Sequence, residues 1–259
     1  MILLGRAFLV AILIFLYMPI VVMMAMGFND SALYELPFSF TTKWYTMLAE
    51  NSQLVTAGVN SVVIAIITAA IATTLGTMAS IALSRRTFRG RNLLQLLLLP
   101  PIAIPWLITG TAMLVFFFWT GIGRGMHALL IGHVALAIPY VVLVVGTGFQ
   151  TIRADLEEAA MSLGSTPVHA FFAVTLPLLA PSILGAALFA FAVSLDQFVI
   201  SYFLATPGFT TLPVQIYSAI RKGFTPEINA ISTILLMGSM ATILVFAFFA
   251  RPGGVNDKR

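Results

Sequence analysis

Six long apolar runs constrain the fold of this chain more than any other sequence feature. A helix that crosses the roughly 30 Å hydrocarbon core of a bilayer needs ~20 apolar residues, and each run is long enough. We predict an all-α polytopic membrane protein, with six transmembrane helices in a single domain over residues 1–259. The predicted spans cover residues of about 7–28, 56–83, 93–118, 127–149, 179–204 and 228–250.

The composition excludes two broad classes of protein. Charged residues make up 8% of the chain and hydrophobic residues 60%, whereas an ordinary globular domain has roughly 25% charged residues. Such a chain cannot cover a core with a solvated surface, so a soluble enzyme and a disordered protein are both excluded. The net charge of +4 is slight and spread along the chain, which argues against binding to nucleic acid.

The distribution of Lys and Arg predicts the orientation of the spans, because cytoplasmic loops are enriched in these residues. Nine basic residues fall on the side of the termini and four on the other side, so both termini are expected in the cytoplasm. The nine are Arg6, Arg85, Arg86, Arg89, Arg91, Arg153, Arg251, Lys258 and Arg259; the four are Lys43, Arg124, Arg221 and Lys222.

The sequence lacks the motifs of several kinds of catalytic site. None of the three lysines stands in the Gly-Lys-Ser/Thr context of a P-loop. The three histidines lack metalloprotease spacing, there is no Gly-x-Ser-x-Gly motif, and cysteine is absent. We therefore expect no catalytic residue, no metal site and no bound cofactor in this chain.

The loop at residues 150–177, between the fourth and fifth spans, predicts a helix–turn–helix. Asp155 and Glu158 have the spacing of a capping box at the start of the first helix. Gly164 is placed to end that helix in the left-handed region, and Ser165 or Thr166 can cap a second helix. Pro167 then occupies its first position.

The first predicted helix of this loop has one apolar face that needs a partner. Its residues recur at helical spacing, and a helix of two turns is marginal alone in water. The face consists of Leu156, Ala159, Ala160 and Leu163. It either packs on the spans of its own chain or docks on a separate protein, and these residues leave both possibilities open.

The same loop resembles the EAA loop of inner-membrane permease subunits of bacterial ABC importers, the MetI-like family. The match is Glu158-Ala159-Ala160, three residues, Gly164, nine residues, Val174, one residue and Leu176-Pro177, with Val174 where the family usually has Ile. In that family the short helix docks in a cleft of a separate cytoplasmic ATPase, which binds the ATP. The resemblance thus implies an ATPase-coupling loop made of Glu158, Ala159, Ala160, Gly164, Leu176 and Pro177.

Residues 194–202 and 211–235 resemble the second permease subunit of spermidine/putrescine-type importers. The likeness extends from the first span to about Ala250, although relatives for iron, thiamine and opine-like solutes share much of it. In the polyamine-type subunits, the aspartate that corresponds to Asp196 is usually followed by a second carboxylate, where this chain has Gln197. The expected solute is a polyamine or a related small cation.

Asp196 is the only carboxylate deep within a predicted span. A charge at that depth costs about 2.5–3.5 kcal/mol on insertion scales, so it usually faces a cavity or a partner. Ser194, Gln197 and Ser201 lie beside it at helical spacing and extend a polar stripe along the fifth span. Asp196 is therefore a candidate contact for a cationic solute in the pathway, or else a structural residue bonded to a neighbouring helix.

Two further residue patterns predict local structure within the spans. Pro100, Pro101 and Pro105, with Gly110, predict a kink in the third span. His133 in the fourth span is expected to be a packed, hydrogen-bonded side chain and not a proton carrier.

The resemblance implies an assembly in the bacterial inner membrane. Its other parts are a second, homologous permease chain that makes a heterodimer, a cytoplasmic ATPase dimer and an extracytoplasmic solute-binding protein. Two other classes remain: an ion-coupled secondary transporter with Asp196 as coupling site, and a receptor or scaffold without transport. Dependence of uptake on ATP or on an ion gradient separates the first two.

Overall fold

The computed structural model describes residues 2–31, 35–85, 87–98, 100–153, 155–223 and 227–249, and every extended regular element within these ranges is a helix. The predicted all-α class is confirmed. The helices are α1 (Ile2–Met26), α2 (Lys43–Glu50), α3 (Ser52–Arg85), α4 (Arg91–Leu98), α5 (Pro100–Ala103), α6 (Trp106–Trp119), α7 (Met126–Gln150), α8 (Asp155–Ser162), α9 (Pro167–Ala170), a π-helical turn (Phe171–Thr175), α10 (Leu176–Leu195), α11 (Phe198–Leu204), α12 (Leu212–Lys222) and α13 (Glu227–Phe249).

In the described part of the chain, four helical stretches are long and apolar enough to cross a membrane. They lie in α1, in α3, in α7 and in the stretch Pro167–Leu195, and a fifth results if α4 to α6 count as one bent span. The apolar stretch Glu227–Met240 of α13 is shorter. The count of six spans therefore remains a prediction.

The predicted third span is a broken helix. Its two halves, Arg91–Ala103 and Trp106–Trp119, meet at an angle of 109°. Pro105 stands at the break as the residue that precedes α6. Proline cannot donate a backbone hydrogen bond and its ring clashes with the preceding turn, so the predicted kink is confirmed.

The chain divides into two compact units, and the first comprises Met1–Thr56 and Gln215–Ala247. A buried asparagine, Asn29, organises the segment that follows α1. Its side chain accepts a hydrogen bond from the Ser39 amide at 2.9 Å and donates one to the Glu35 carbonyl at 3.0 Å, while the Trp44 indole donates to its backbone carbonyl at 2.7 Å. The buried polar groups of this turn are thereby paired, which burial away from water requires.

The second unit comprises Ala57–Val214 and Phe248–Arg259. Its core is the contact between α7 and α10, where small side chains allow the two helices to approach closely. A methyl group added at Gly148 in α7 would lie 2.1 Å from Ser182 Oγ and 2.5 Å from Ser182 Cβ in α10. The loop with the predicted ATPase-coupling residues connects α7 to α10, and Asp196 follows the end of α10. The close packing of α7 and α10 therefore positions both candidate sites.

Replacement of Gly148 by Ala is expected to destabilise the protein by about 1–3 kcal/mol, because the added methyl group overpacks the contact with Ser182. Thermal unfolding of the detergent-solubilised chain measures this as a lower midpoint. Gly58→Ala is the matched control, since a methyl group there meets only Leu212 at an ordinary 3.9 Å. Equal midpoints for the two variants would contradict the close approach of α7 and α10.

Candidate functional site

The turn at Gly164 ends helix α8 as predicted. Gly164 has a φ of +95°, in the left-handed region where glycine carries no steric penalty. The Gly164 amide donates to the Met161 carbonyl at 3.0 Å, and the Ser165 amide donates to the Ala160 carbonyl at 3.1 Å. This pair of bonds is a Schellman motif, which satisfies the last carbonyls of the helix.

The second half of the loop also begins as predicted. Thr166 caps α9 by accepting a hydrogen bond from the His169 amide at 3.3 Å, and Pro167 follows at the first helical position. The capping role predicted for Asp155 is wrong, because Asp155 is the first residue of α8 itself. Its carboxylate accepts hydrogen bonds from the Arg153 guanidinium instead.

Three of the four residues of the predicted apolar face at α8 are exposed, and the fourth, Ala160, is half-buried. Leu163 is 90% exposed, and Leu156 and Ala159 are exposed as well. Glu158 is exposed beside them and carries its charge at the surface. Val168, in the following helix, extends the exposed apolar surface and is 67% exposed. Most of the apolar side of this helix is therefore uncovered by the described residues.

Glu157 of α8 takes part in a contact that sequence reasoning missed. The Arg85 guanidinium, at the end of α3, pairs with the Glu157 carboxylate and donates to Thr175 Oγ1 at 3.0 Å. The Thr175 hydroxyl in turn donates to Glu157 Oε2 at 2.8 Å. Arg85 and Glu157 are 72 residues apart, and no local pattern indicates such a pair.

The predicted fifth span, 179–204, is interrupted at the candidate pathway residues. Helix α10 ends at Leu195 and α11 begins at Phe198, so Asp196 and Gln197 form the break. The 20 residues of α10 measure about 30 Å at 1.5 Å per residue. Asp196 thus follows a helix that can itself cross the hydrocarbon core, and it is exposed. This differs from the predicted carboxylate deep within a continuous span.

The other three residues of the predicted polar stripe are buried near the break. Ser194 Oγ and Ser201 Oγ lie 2.8 Å and 3.0 Å from Nδ1 and Nε2 of His133, so the imidazole links α7 to both α10 and α11. The amide of Gln197 is buried without a hydrogen-bond partner among the described residues. His133 is the packed, hydrogen-bonded side chain that the sequence predicts. Ser194 and Ser201 are buried against it, whereas Asp196 is exposed.

Among the described residues, no group of three or more His, Asp or Glu side chains could hold a metal ion.

Comparison with known families places the chain. Residues 72–251 match the family described as "Binding-protein-dependent transport system inner membrane component". The chain belongs to this family. The matched region includes α8, the turn at Gly164 and the break at Asp196. This permease is therefore a transport subunit of the inner membrane, and the predicted membership of the family of inner-membrane importer permeases is confirmed.

Two curated relatives of the permease come from Escherichia coli (strain K12). The putrescine transport system permease protein PotI is 36% identical over 243 residues, which cover 91% of this chain and 86% of PotI. The spermidine/putrescine transport system permease protein PotC is 33% identical over 249 residues, covering 96% and 94%. The predicted likeness to polyamine-type permeases is confirmed at the level of the family.

Solved structures share the fold of the permease. A bacterial ABC transporter involved in the import of the acidic polysaccharide alginate matches with a TM-score of 0.69 and 15% identity, over 97% of this chain and 96% of that one. The MetNI methionine ABC transporter in an inward-facing conformation matches with a TM-score of 0.64 and 17% identity, over 76% and 94%. The predicted MetI-like fold is confirmed.

Replacement of His133 by Leu is expected to lower the thermal midpoint of the solubilised permease. The substitution leaves the buried hydroxyls of Ser194 and Ser201 without their common partner, at a cost of about 1–3 kcal/mol for each unsatisfied group. Asp196→Asn is the control and leaves the midpoint unchanged, because Asp196 is exposed. A His133→Leu midpoint equal to the wild-type value would show that the imidazole bonds are not structural.

Proposed function

We propose that this permease forms half of the translocation pathway of an ATP-driven ABC importer for polyamines or a related small organic cation. One observation carries the proposal: the short helix at the EAA-type motif exposes its apolar face, with Leu163 90% exposed. An apolar surface of that kind is typical of a docking site. The relatives PotI and PotC are named as permeases of putrescine and spermidine/putrescine transport systems, and this supports a polyamine as the solute class.

The exposure of α8 supports docking on a separate protein over packing on the spans of its own chain. A helix of eight residues is marginal unless its apolar side is covered, and the described residues leave most of that side uncovered. A separate ATPase is the partner that the EAA-type motif implies. Glu158, Ala159 and Ala160 then form the docking surface, and Gly164, Leu176 and Pro177 set the path of the chain from that surface into α10.

The break at Asp196 supports a cationic solute. The C-terminal end of α10 and the N-terminal end of α11 meet at the break, and their partial charges are of opposite sign. The carboxylate of Asp196 therefore sets the charge there, and it favours an ammonium group. We assign Asp196 as a solute contact and Gln197, whose buried amide has no partner among the described residues, as its neighbour in the pathway. Ser194 and Ser201, which the sequence places in the same polar stripe, hold the break from behind through their bonds to His133.

Gln197 narrows the solute class. A second carboxylate beside Asp196 would favour a solute with several ammonium groups. The neutral amide of Gln197 attracts such a multiply charged solute less strongly. This favours a short diamine over a longer polyamine. Importers of iron, thiamine or opines remain the alternative for the solute, because their permeases share much of the same resemblance.

The cycle that we propose uses partners for every step that requires energy. Two ATPase chains bind and hydrolyse ATP beneath the membrane, and this chain itself binds no cofactor. Closure of the ATPases pushes α8, swings the spans from inward-facing to outward-facing, and opens the site at Asp196 to a solute-binding protein. A second, homologous permease chain completes the pathway. Both termini face the cytoplasm of the bacterial cell, in keeping with the excess of Lys and Arg on that side.

An ion-coupled secondary transporter is the competing function, with Asp196 as its coupling site. Membership of a binding-protein-dependent family weighs against it. The exposed apolar face of α8 weighs against it as well, since a transporter that works alone has no use for such a surface.

Replacement of Glu158 by Lys is expected to release the ATPase from the purified complex while the second permease stays bound. The reversed charge stands in the middle of the proposed docking surface. Affinity purification of the tagged chain in mild detergent, followed by mass spectrometry, measures the recovery of both partners. Glu50→Lys is the matched control, because Glu50 is exposed in α2 on the predicted opposite side of the membrane. Full recovery of the ATPase with Glu158→Lys would contradict docking at α8.

Replacement of Asp196 by Asn is expected to reduce uptake of radiolabelled putrescine at least about fivefold, since a close charge pair is worth about 1–4 kcal/mol at the dielectric constants of water and of a protein surface. The measurement is initial uptake by proteoliposomes that hold the complete complex. Glu50→Gln removes an exposed carboxylate elsewhere and leaves uptake unchanged. Wild-type uptake by a fully assembled Asp196→Asn complex would remove Asp196 from the pathway.

A further inference from the structure

Arg85 lies where four helical elements of the second unit meet. We define the Arg85 junction as Arg85, Glu157, Thr175, Phe149 and Phe171. Arg85 is the last residue of α3, Phe149 is near the end of α7, and Glu157 is in α8. Phe171 and Thr175 are the first and last residues of the π-helical turn that leads into α10. The side chain of Arg85, at the end of α3, therefore touches helix α8, the end of α7 and the turn that leads into α10.

The polar groups of the Arg85 junction form a closed set of hydrogen bonds. Arg85 pairs with Glu157 and donates to Thr175 Oγ1 at 3.0 Å, and Thr175 donates to Glu157 Oε2 at 2.8 Å. Thr175 is buried, and the side chains of Arg85 and Glu157 are only 28% and 19% exposed. Such a pair is less screened by water than a surface ion pair, which is usually worth little.

The guanidinium also lies over two aromatic rings. Its central carbon is 5.4 Å from the centre of the Phe149 ring and 5.0 Å from the centre of the Phe171 ring. These distances are within the range of cation–π attraction. A planar guanidinium can stack on rings and form a fork of hydrogen bonds at once, and a lysine ammonium cannot. The junction therefore has a geometry that requires arginine.

The π-helical turn is a second irregularity at the same place. Phe171–Thr175 interrupts the helical stretch between α9 and α10, and π-helical turns are rare and found mostly at functional sites. It ends with Thr175, the residue that bridges Arg85 and Glu157. The irregular backbone and the bridging side chain thus belong to one structural feature.

We propose that Arg85 is a positioning residue that makes α8 move together with the ends of α3, α7 and α10. This inference rests on the proposed function, in which an ATPase displaces α8. Without the junction, α8 keeps its contacts with α9 and the π-helical turn, the segments that follow it in the chain, and its displacement is absorbed by those segments. ATP is then hydrolysed without full reorientation of the spans.

The test compares uptake per ATP hydrolysed in proteoliposomes that hold the complete complex. Arg85→Gln and Glu157→Gln each break the pair, the double variant removes both charges, and Thr175→Val removes the bridging hydroxyl with little change in shape. Arg153→Gln is the matched control, because Arg153 pairs with Asp155 only two residues away and both side chains are largely exposed. Recovery of the ATPase and the thermal midpoint are measured for every variant.

We expect Arg85→Gln and Glu157→Gln to keep the ATPase bound and hydrolysing, and to lower uptake per ATP by about fivefold or more, the size of a typical coupling between sites. Uptake per ATP in the double variant is expected to be no lower than in the more impaired single variant, because the two residues act as one unit. Arg153→Gln keeps the wild-type ratio. A lower midpoint with an unchanged ratio would mean a merely structural role and overturns the proposal.

The remaining outcomes distinguish failure of the Arg85 proposal from failure of the proposed function. If Arg85→Gln does not assemble, Thr175→Val supplies the answer, and a wild-type ratio in that variant overturns the proposal. If the wild-type permease recovers no ATPase or transports without ATP, the proposed function fails and the junction loses its role with it. If the wild type couples normally and the variants do too, only the junction is refuted.

Discussion

The hydrocarbon core of the membrane imposes the constraint on which the rest of this structure depends. A backbone in lipid must satisfy its own hydrogen bonds, and a continuous helix does so at every residue. Departures from a continuous helix therefore need a reason. In the described part of the chain they come at Pro105, at the π-helical turn 171–175 and at Asp196–Gln197. The last two lie next to the residues that we assign to coupling and to solute.

Small and polar side chains join the helices around these departures. The close contact of Gly148 with Ser182 brings α7 against α10, and His133 bonds α7 to the helices on both sides of the Asp196 break. At the other end of α10, the Arg85 junction connects the spans with α8. The proposed solute contact and helix α8 thus lie at opposite ends of the packed pair α7 and α10, which provides a physical connection between them.

The sequence predicts what depends on local chemistry. Apolar length gives the helical class, the prolines give the kink, and the positive φ of Gly164 and the cap by Thr166 follow from residue type and spacing. Contacts between distant residues could not be predicted, since nothing local pairs Arg85 with Glu157 or His133 with Ser201. The break at Asp196 was missed because apolar residues continue on both sides of it. The pairing of Asp155 with Arg153 was missed because Asp155 was assigned to a capping box with Glu158.

The central claim of this account is that ATP, bound by a separate protein, drives transport through α8. The most direct measurement is uptake of radiolabelled putrescine into proteoliposomes that hold the complete complex and its binding protein. ATP and the ion gradients are supplied separately. The account predicts uptake with ATP alone and none with a proton or sodium gradient alone. Uptake that follows an ion gradient in the absence of ATP would contradict it.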